Sequence, residues 1–101
     1  MKKPMDPDAI FDYCCSRLGV PRYVITSRRK RNNLTMKRKI IALLLLHFTD
    51  LKYEKVASLI ERDRTLLFHY MKTFNEMDLE HISKYNNLKK EISKLKVMEV
   101  R

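Results

Sequence analysis

Glycine occurs once in this chain of 101 residues, proline three times and tryptophan not at all. The glycine is Gly19 and the prolines are Pro4, Pro7 and Pro21, so everything after Pro21 lacks the two strongest breakers of regular structure, and an all-helical domain is expected. One glycine also excludes a Gly-x-x-x-x-Gly-Lys-[Ser/Thr] loop, so no phosphate-cradling loop of that kind is expected. The only cysteines, Cys14 and Cys15, are neighbours; side chains adjacent on a helix point apart, which excludes an ordinary disulfide between them and points to a reduced, intracellular protein. They also lack the x-x separation of a zinc knuckle, and His47, His69 and His81 have no spacing suited to a metal, so neither metal nor cofactor is expected. The longest apolar run, Ile40 to Leu46, falls far short of the roughly 18 residues of a membrane span, and nothing apolar near Met1 resembles a secretory signal. A cytoplasmic protein is the expectation.

What is abundant is positive charge. Lys and Arg number 22 against 12 Asp and Glu, a formal charge of +10. Between Asp12 and Asp50 no acidic residue occurs, while Arg17, Arg22, Arg28, Arg29, Lys30, Arg31, Lys37, Arg38 and Lys39 all lie there. A solvated face normally mixes signs, so this acid-free block reads as a phosphate-contacting surface, with a solubilising patch as the plain alternative. At 45% hydrophobic residues the chain can still bury a core, and its length is that of one domain, residues 1–101.

Hydrophobic periodicity divides that domain into about five to six helices. Asp6-Pro7 supplies an N-cap and a first-turn proline, Ile10, Phe11, Cys14 and Leu18 recur at helical spacing, and Gly19 suits the C-terminal cap, giving a helix from Pro7 to Leu18. Pro21 opens a short helix through Ile25. Thr26 to Asn33 holds nothing apolar and is expected to be an exposed basic loop. Thr35 is expected to cap a helix from Met36 to Phe48 that is apolar on nearly every face and so central. A short helix, about Tyr53 to Ile60, is followed across Glu61-Arg62-Asp63-Arg64 by another capped by Asp63, with Leu66 or Leu67, Tyr70 or Met71, and Phe74 inward. The last helix, about Leu79 to Val97, shows Leu79, Ile82, Tyr85, Leu88, Ile92 and Leu95 on one face and lysines on the other.

Two short helices across a tight polar turn have the plan of a helix-turn-helix, whose second helix enters the major groove N-terminus first; plain packing is the alternative. Arg62-Asp63-Arg64-Thr65-Leu66-Leu67-Phe68-His69 resembles the Arg-Asp-His-Thr-Thr-Val-Leu-His signature of the C-terminal DNA-binding domain of the bacterial chromosomal replication initiator, DnaA. Upstream, Val24 to Arg31 resembles that family's basic loop and Lys37-Arg38-Lys39-Ile40 the start of its next helix. Ile82 to Leu88 resembles its closing helix, so the likeness spans about residues 10–95. The resemblance implies a small helical fold of the Trp repressor-like class that binds a short double-stranded DNA site. It places Arg28 or Arg29 in the minor groove and Asp63, Arg64, Thr65 and Leu66 at base edges. An arginine suits the strong negative potential of a narrow A·T-rich minor groove, and the Thr65 methyl or Leu66 suits a thymine methyl. Phosphate contacts are expected from Lys30, Arg31, Lys37, Arg38, Lys39, Arg62 and Lys72, and from His69 unless it is packed.

The sequence departs from the family at Arg64 in place of its histidine, Leu66 in place of its second threonine and Tyr70 in place of a small residue. Its Gly-Gly is shortened to Glu61. Arginine at 64 can pair bidentately with guanine, a contact worth about 1–3 kcal/mol of discrimination, so a different target site is expected. The expected function is non-enzymatic recognition of duplex DNA by a nucleoid-associated regulator or replication accessory factor. The alternative is a basic module that meets RNA, an acidic membrane or an acidic protein. The lysine-rich last helix is a candidate face for a protein partner.

Overall fold

The computed structural model of the chain describes residues 5–29 and 31–99. Helix α1 (Pro7–Leu18) begins as expected, with Asp6 accepting from the Asp8 N–H and Pro7 in the first turn. It stops at Gly19, where φ is +67°. There the Gly19 N–H donates to the Ser16 carbonyl and the Val20 N–H to that of Cys15, closing the helix with a Schellman motif. Helix α2 is short (Arg22–Ile25). Helix α3 (Asn32–Phe48) begins earlier than expected, because Thr35 is not its cap: the Thr35 hydroxyl donates back to the Arg31 carbonyl from inside the helix. The exposed loop is shortened to match. What extends the helix is tertiary, since Asn33 Oδ1 lies 3.1 Å from His81 Nε2.

Helices α4 (Tyr53–Leu59) and α5 (Arg64–Lys72) flank a tight turn, a 3₁₀ turn follows (Phe74–Glu76), and α6 (Leu79–Glu99) closes the chain. The described residues are thus all-helical, and α3 packs against each of the other five helices. Ile40, Ile41, Ala42, Leu44 and Leu45 are fully buried, as a helix apolar all round requires. Cys14 and Cys15 are free thiols buried under α1, and that burial pushes them up to about 12 and about 11. On α6 the expected stripe holds for Ile82, Tyr85, Leu88 and Ile92 but not for Leu79, which is 83% exposed at the first turn, nor for the exposed Leu95 beyond the last core contact. Asp78 caps α6 by accepting from the His81 N–H at 2.8 Å, and Glu91 ties α6 to α1 through Tyr13 and Arg17.

Candidate nucleic-acid interface

The turn between α4 and α5 is built on one unusual residue. Glu61 has φ +53°, the only positive φ outside glycine among the described residues. Its N–H donates to the Ser58 carbonyl at 3.1 Å, and the Arg62 N–H to that of Ala57 at 2.8 Å. This is a second Schellman motif, made by glutamate where glycine is the usual occupant. Val56 and Ala57 are buried beneath it. The reversal brings Arg62 back toward the domain, so its side chain is half-buried and donates to the carbonyls of Glu61, Ile60 and Ser27. Expected at a phosphate, the Arg62 guanidinium is instead committed to backbone oxygens.

Arg38 and Lys39 likewise depart from the phosphate-contacting role expected of them. Arg38 is 2% and Lys39 4% exposed. The Arg38 guanidinium donates to the carbonyls of Ile25 at 2.7 Å, Ser27 at 3.0 Å and Val24 at 3.2 Å, which are the end of α2 and the root of the basic loop. Lys39 Nζ donates to the Thr73 hydroxyl at 2.8 Å, at the C-terminal end of α5, where a cation complements the helix dipole. Burial lowers the proton affinity of both groups. Long cationic side chains bury when carbonyls meet their head groups, and here two consecutive residues of α3 do so in two directions. One fixes the loop and the other fixes α5.

The remaining positive charge does face out. Arg28, Arg29 and Arg31 are exposed around the N-terminus of α3, and Lys37 is half-buried one turn along; Lys30 lies outside the described residues. Arg31 is the N-cap residue of α3, and its own side chain makes no capping bond. Arg22, by contrast, is paired with Asp8 at 2.8 Å and Asp12 at 3.4 Å and lies over the Phe11 ring.

On α5, Asp63 occupies the N-cap position with extended backbone, but its side chain makes no capping bond. Asp63, Arg64, Thr65, Phe68, His69 and Lys72 are exposed, while Leu67 and Tyr70 are buried. Arg64 pairs with Glu54 of α4 at 2.8 Å in an exposed ion pair. Leu66 does not share the outward face as expected. It is partly buried against the core, and helical rotation sets it nearly half a turn from Phe68. Phe68 takes the outward place instead, 46% exposed, its ring 4.8 Å from that of Tyr53. Nothing in the sequence singles Phe68 out of the consecutive apolar residues Leu66, Leu67 and Phe68. Beside α5 runs a groove of about 810 Å³, lined mainly by Leu43, Leu46, Leu51, Tyr53, Phe68 and Met71 and bordered by Lys52 and Arg64.

Among the described residues no group of three His, Cys, Asp or Glu side chains is arranged to hold a metal, and no helix is long and apolar enough to cross a membrane. His81, one of the three histidines, is buried against Asp78 and Asn33, whereas His69 is exposed on α5. Set against known proteins, the chain matches no family model and no curated sequence.

Proposed function

We propose that this chain is a sequence-specific double-stranded DNA-binding protein similar to the C-terminal domain of the replication initiator DnaA, acting as a non-enzymatic regulator or replication accessory factor. Helix α5 reads the major groove with Arg64 and Thr65 foremost, and Arg28 or Arg29 enters the adjacent minor groove. Arg31, Lys37, His69 and Lys72 contact phosphates. Asp63, unused as a cap, is free to accept from a cytosine amino group. The observation that carries the reading is the common anchorage of the two segments. Arg38 holds the loop, Lys39 holds α5, and Arg62 joins one to the other. A merely basic surface needs no such registration, whereas two grooves of one duplex must be met at a fixed separation.

The test is selection of bound duplexes from a random pool at near-physiological salt, followed by titration of the selected duplex against a scramble. Salt is held constant because phosphate contacts alone mimic affinity. The expected result is one enriched motif bound at least ~1000-fold tighter than the scramble. Thr65→Ala is expected to weaken the selected duplex far more than random DNA, and Arg29→Ala to remove A·T preference at one flank. Equal, salt-sensitive binding to every duplex overturns the proposal and moves the search to RNA, acidic membranes or acidic proteins.

A further inference from the structure

Phe68 is the large apolar side chain closest to the middle of the outward face of α5. Thr65 lies one turn before it and Lys72 one turn after, with Arg64 and His69 to either side, and all four are exposed. Tyr53 packs beside the ring at a centroid distance of 4.8 Å within the apolar groove, and the ring also borders a surface depression that it shares with Thr65, His69, Met71 and Lys72. A phenyl ring has no donor or acceptor. It cannot distinguish bases by hydrogen bonding, and the apolar feature that a major groove offers it is the C5-methyl group of thymine.

We infer that Phe68 is a specificity-determining residue that takes a thymine methyl in the major groove, so that the target duplex carries a thymine opposite the centre of α5. This deepens the DNA-binding reading and rests on it. It also reassigns the apolar contact expected of Leu66, whose side chain is turned toward the core. Thr65 and Lys72 bracket the ring along the helix, so its thymine lies between the base that Thr65 reaches and the phosphate that Lys72 reaches.

The experiment replaces each thymine of the selected duplex, one at a time, by deoxyuridine, which removes the methyl and leaves the hydrogen-bonding edge unchanged. The whole chain and Phe68→Ala are titrated at one salt concentration. At one thymine the replacement is expected to weaken the natural chain about fourfold, the worth of one buried methyl, and to leave Phe68→Ala unaffected. Because Phe68 also packs on Tyr53, a second measurement uses the natural chain alone. 5-Iodouracil, with iodine in place of the methyl, is put at the sensitive position, irradiated in the complex, and the adduct mapped by peptide mass. An adduct on Phe68 is expected. A selected motif with no methyl-sensitive thymine, a sensitivity that Phe68→Ala retains, or an adduct on another residue overturns this inference and leaves DNA binding standing. Failure to select any motif removes both.

Discussion

The carbonyl oxygen of Ser27 accepts the guanidinium of Arg62, 35 residues further along the chain, and the same oxygen accepts Arg38 Nη2 at 3.0 Å. Two cations converge on one backbone oxygen, at the cost of mutual repulsion that lowers the proton affinity of Arg38 beyond the effect of burial. What offsets that cost is the number of carbonyls served: Val24 and Ile25 by Arg38, Ile60 and Glu61 by Arg62. Ser27 is thereby the point at which the basic loop, the central helix and the α4–α5 turn meet. Its own hydroxyl donates to the Val24 carbonyl, which keeps the loop root folded on α2.

Arg38 should therefore matter to stability more than an ordinary lysine or arginine of a basic run. Arg38→Met keeps the apolar stem but takes the charged donor from the Val24 and Ile25 carbonyls and leaves Ser27 with Arg62 alone. A loss of about 1.5–3 kcal/mol is expected from the urea midpoint at unchanged slope. Hydrogen exchange at the amides of Ser27 to Arg29 should rise at the same time. A loss within about 0.5 kcal/mol, the ordinary range for a surface substitution, would show that the guanidinium contributes little.

Glu61 gives a second test, of backbone conformation. Its left-handed φ disfavours a side chain by roughly 1–2 kcal/mol, whereas glycine adopts it freely but loses more chain entropy on folding. Glu61→Gly is expected to be neutral or stabilising by up to about 1 kcal/mol, and Glu61→Val destabilising, since a β-branched residue resists this conformation most. Thermal unfolding of the pair decides it. If valine were tolerated as well as glycine, the turn would not depend on this φ.

The Arg64–Glu54 pair bears on affinity. Glu54 holds the arginine that the DNA-binding proposal puts foremost at the base edges, and its negative charge would repel phosphate there. Both side chains are well exposed, so the pair is worth little to the fold. Glu54→Gln should leave stability nearly unchanged while raising affinity for duplex DNA by up to about fivefold, with a steeper dependence on salt. Unchanged or weaker binding in a titration across salt would place Arg64 away from the DNA.

Much of this architecture was legible in local sequence. Asp6-Pro7 and Gly19 mark both ends of α1 because caps act within one turn, and Ile40 to Leu46 announces a central helix because no face of it is polar. The start of α3 was not legible, since the partner of Asn33 is His81, 48 residues away. Nor was the burial of Arg38 and Lys39. A run of cations reads as surface until the chain fold brings the carbonyls of Val24, Ile25 and Ser27 and the Thr73 hydroxyl to their head groups. For α5 the limit was phase: Leu66, Leu67 and Phe68 are consecutive, and periodicity alone does not decide which one faces out. The alignment of Leu66 with a base-reading position favoured one choice and the packing made another.

The cap of α6 sets a pH dependence whose sign is fixed. Asp78 accepts from the His81 N–H and lies 2.6 Å from its Nδ1, and with Lys84 one turn further along, these contacts hold the Asp78 carboxyl below the ordinary aspartate range. A carboxyl whose folded value is depressed contributes stability above its unfolded value, about 3.9, and loses that contribution as pH falls through the folded value. Asp78→Asn keeps the side-chain oxygen that caps the helix and removes only the charge. The natural chain should therefore be more stable than Asp78→Asn at pH above about 4, with the two curves converging as the solution is made more acid. Urea unfolding of both proteins across that range measures the gap directly. A gap that persisted unchanged into strong acid would show that the substitution acts through the shape of the cap and not through its charge.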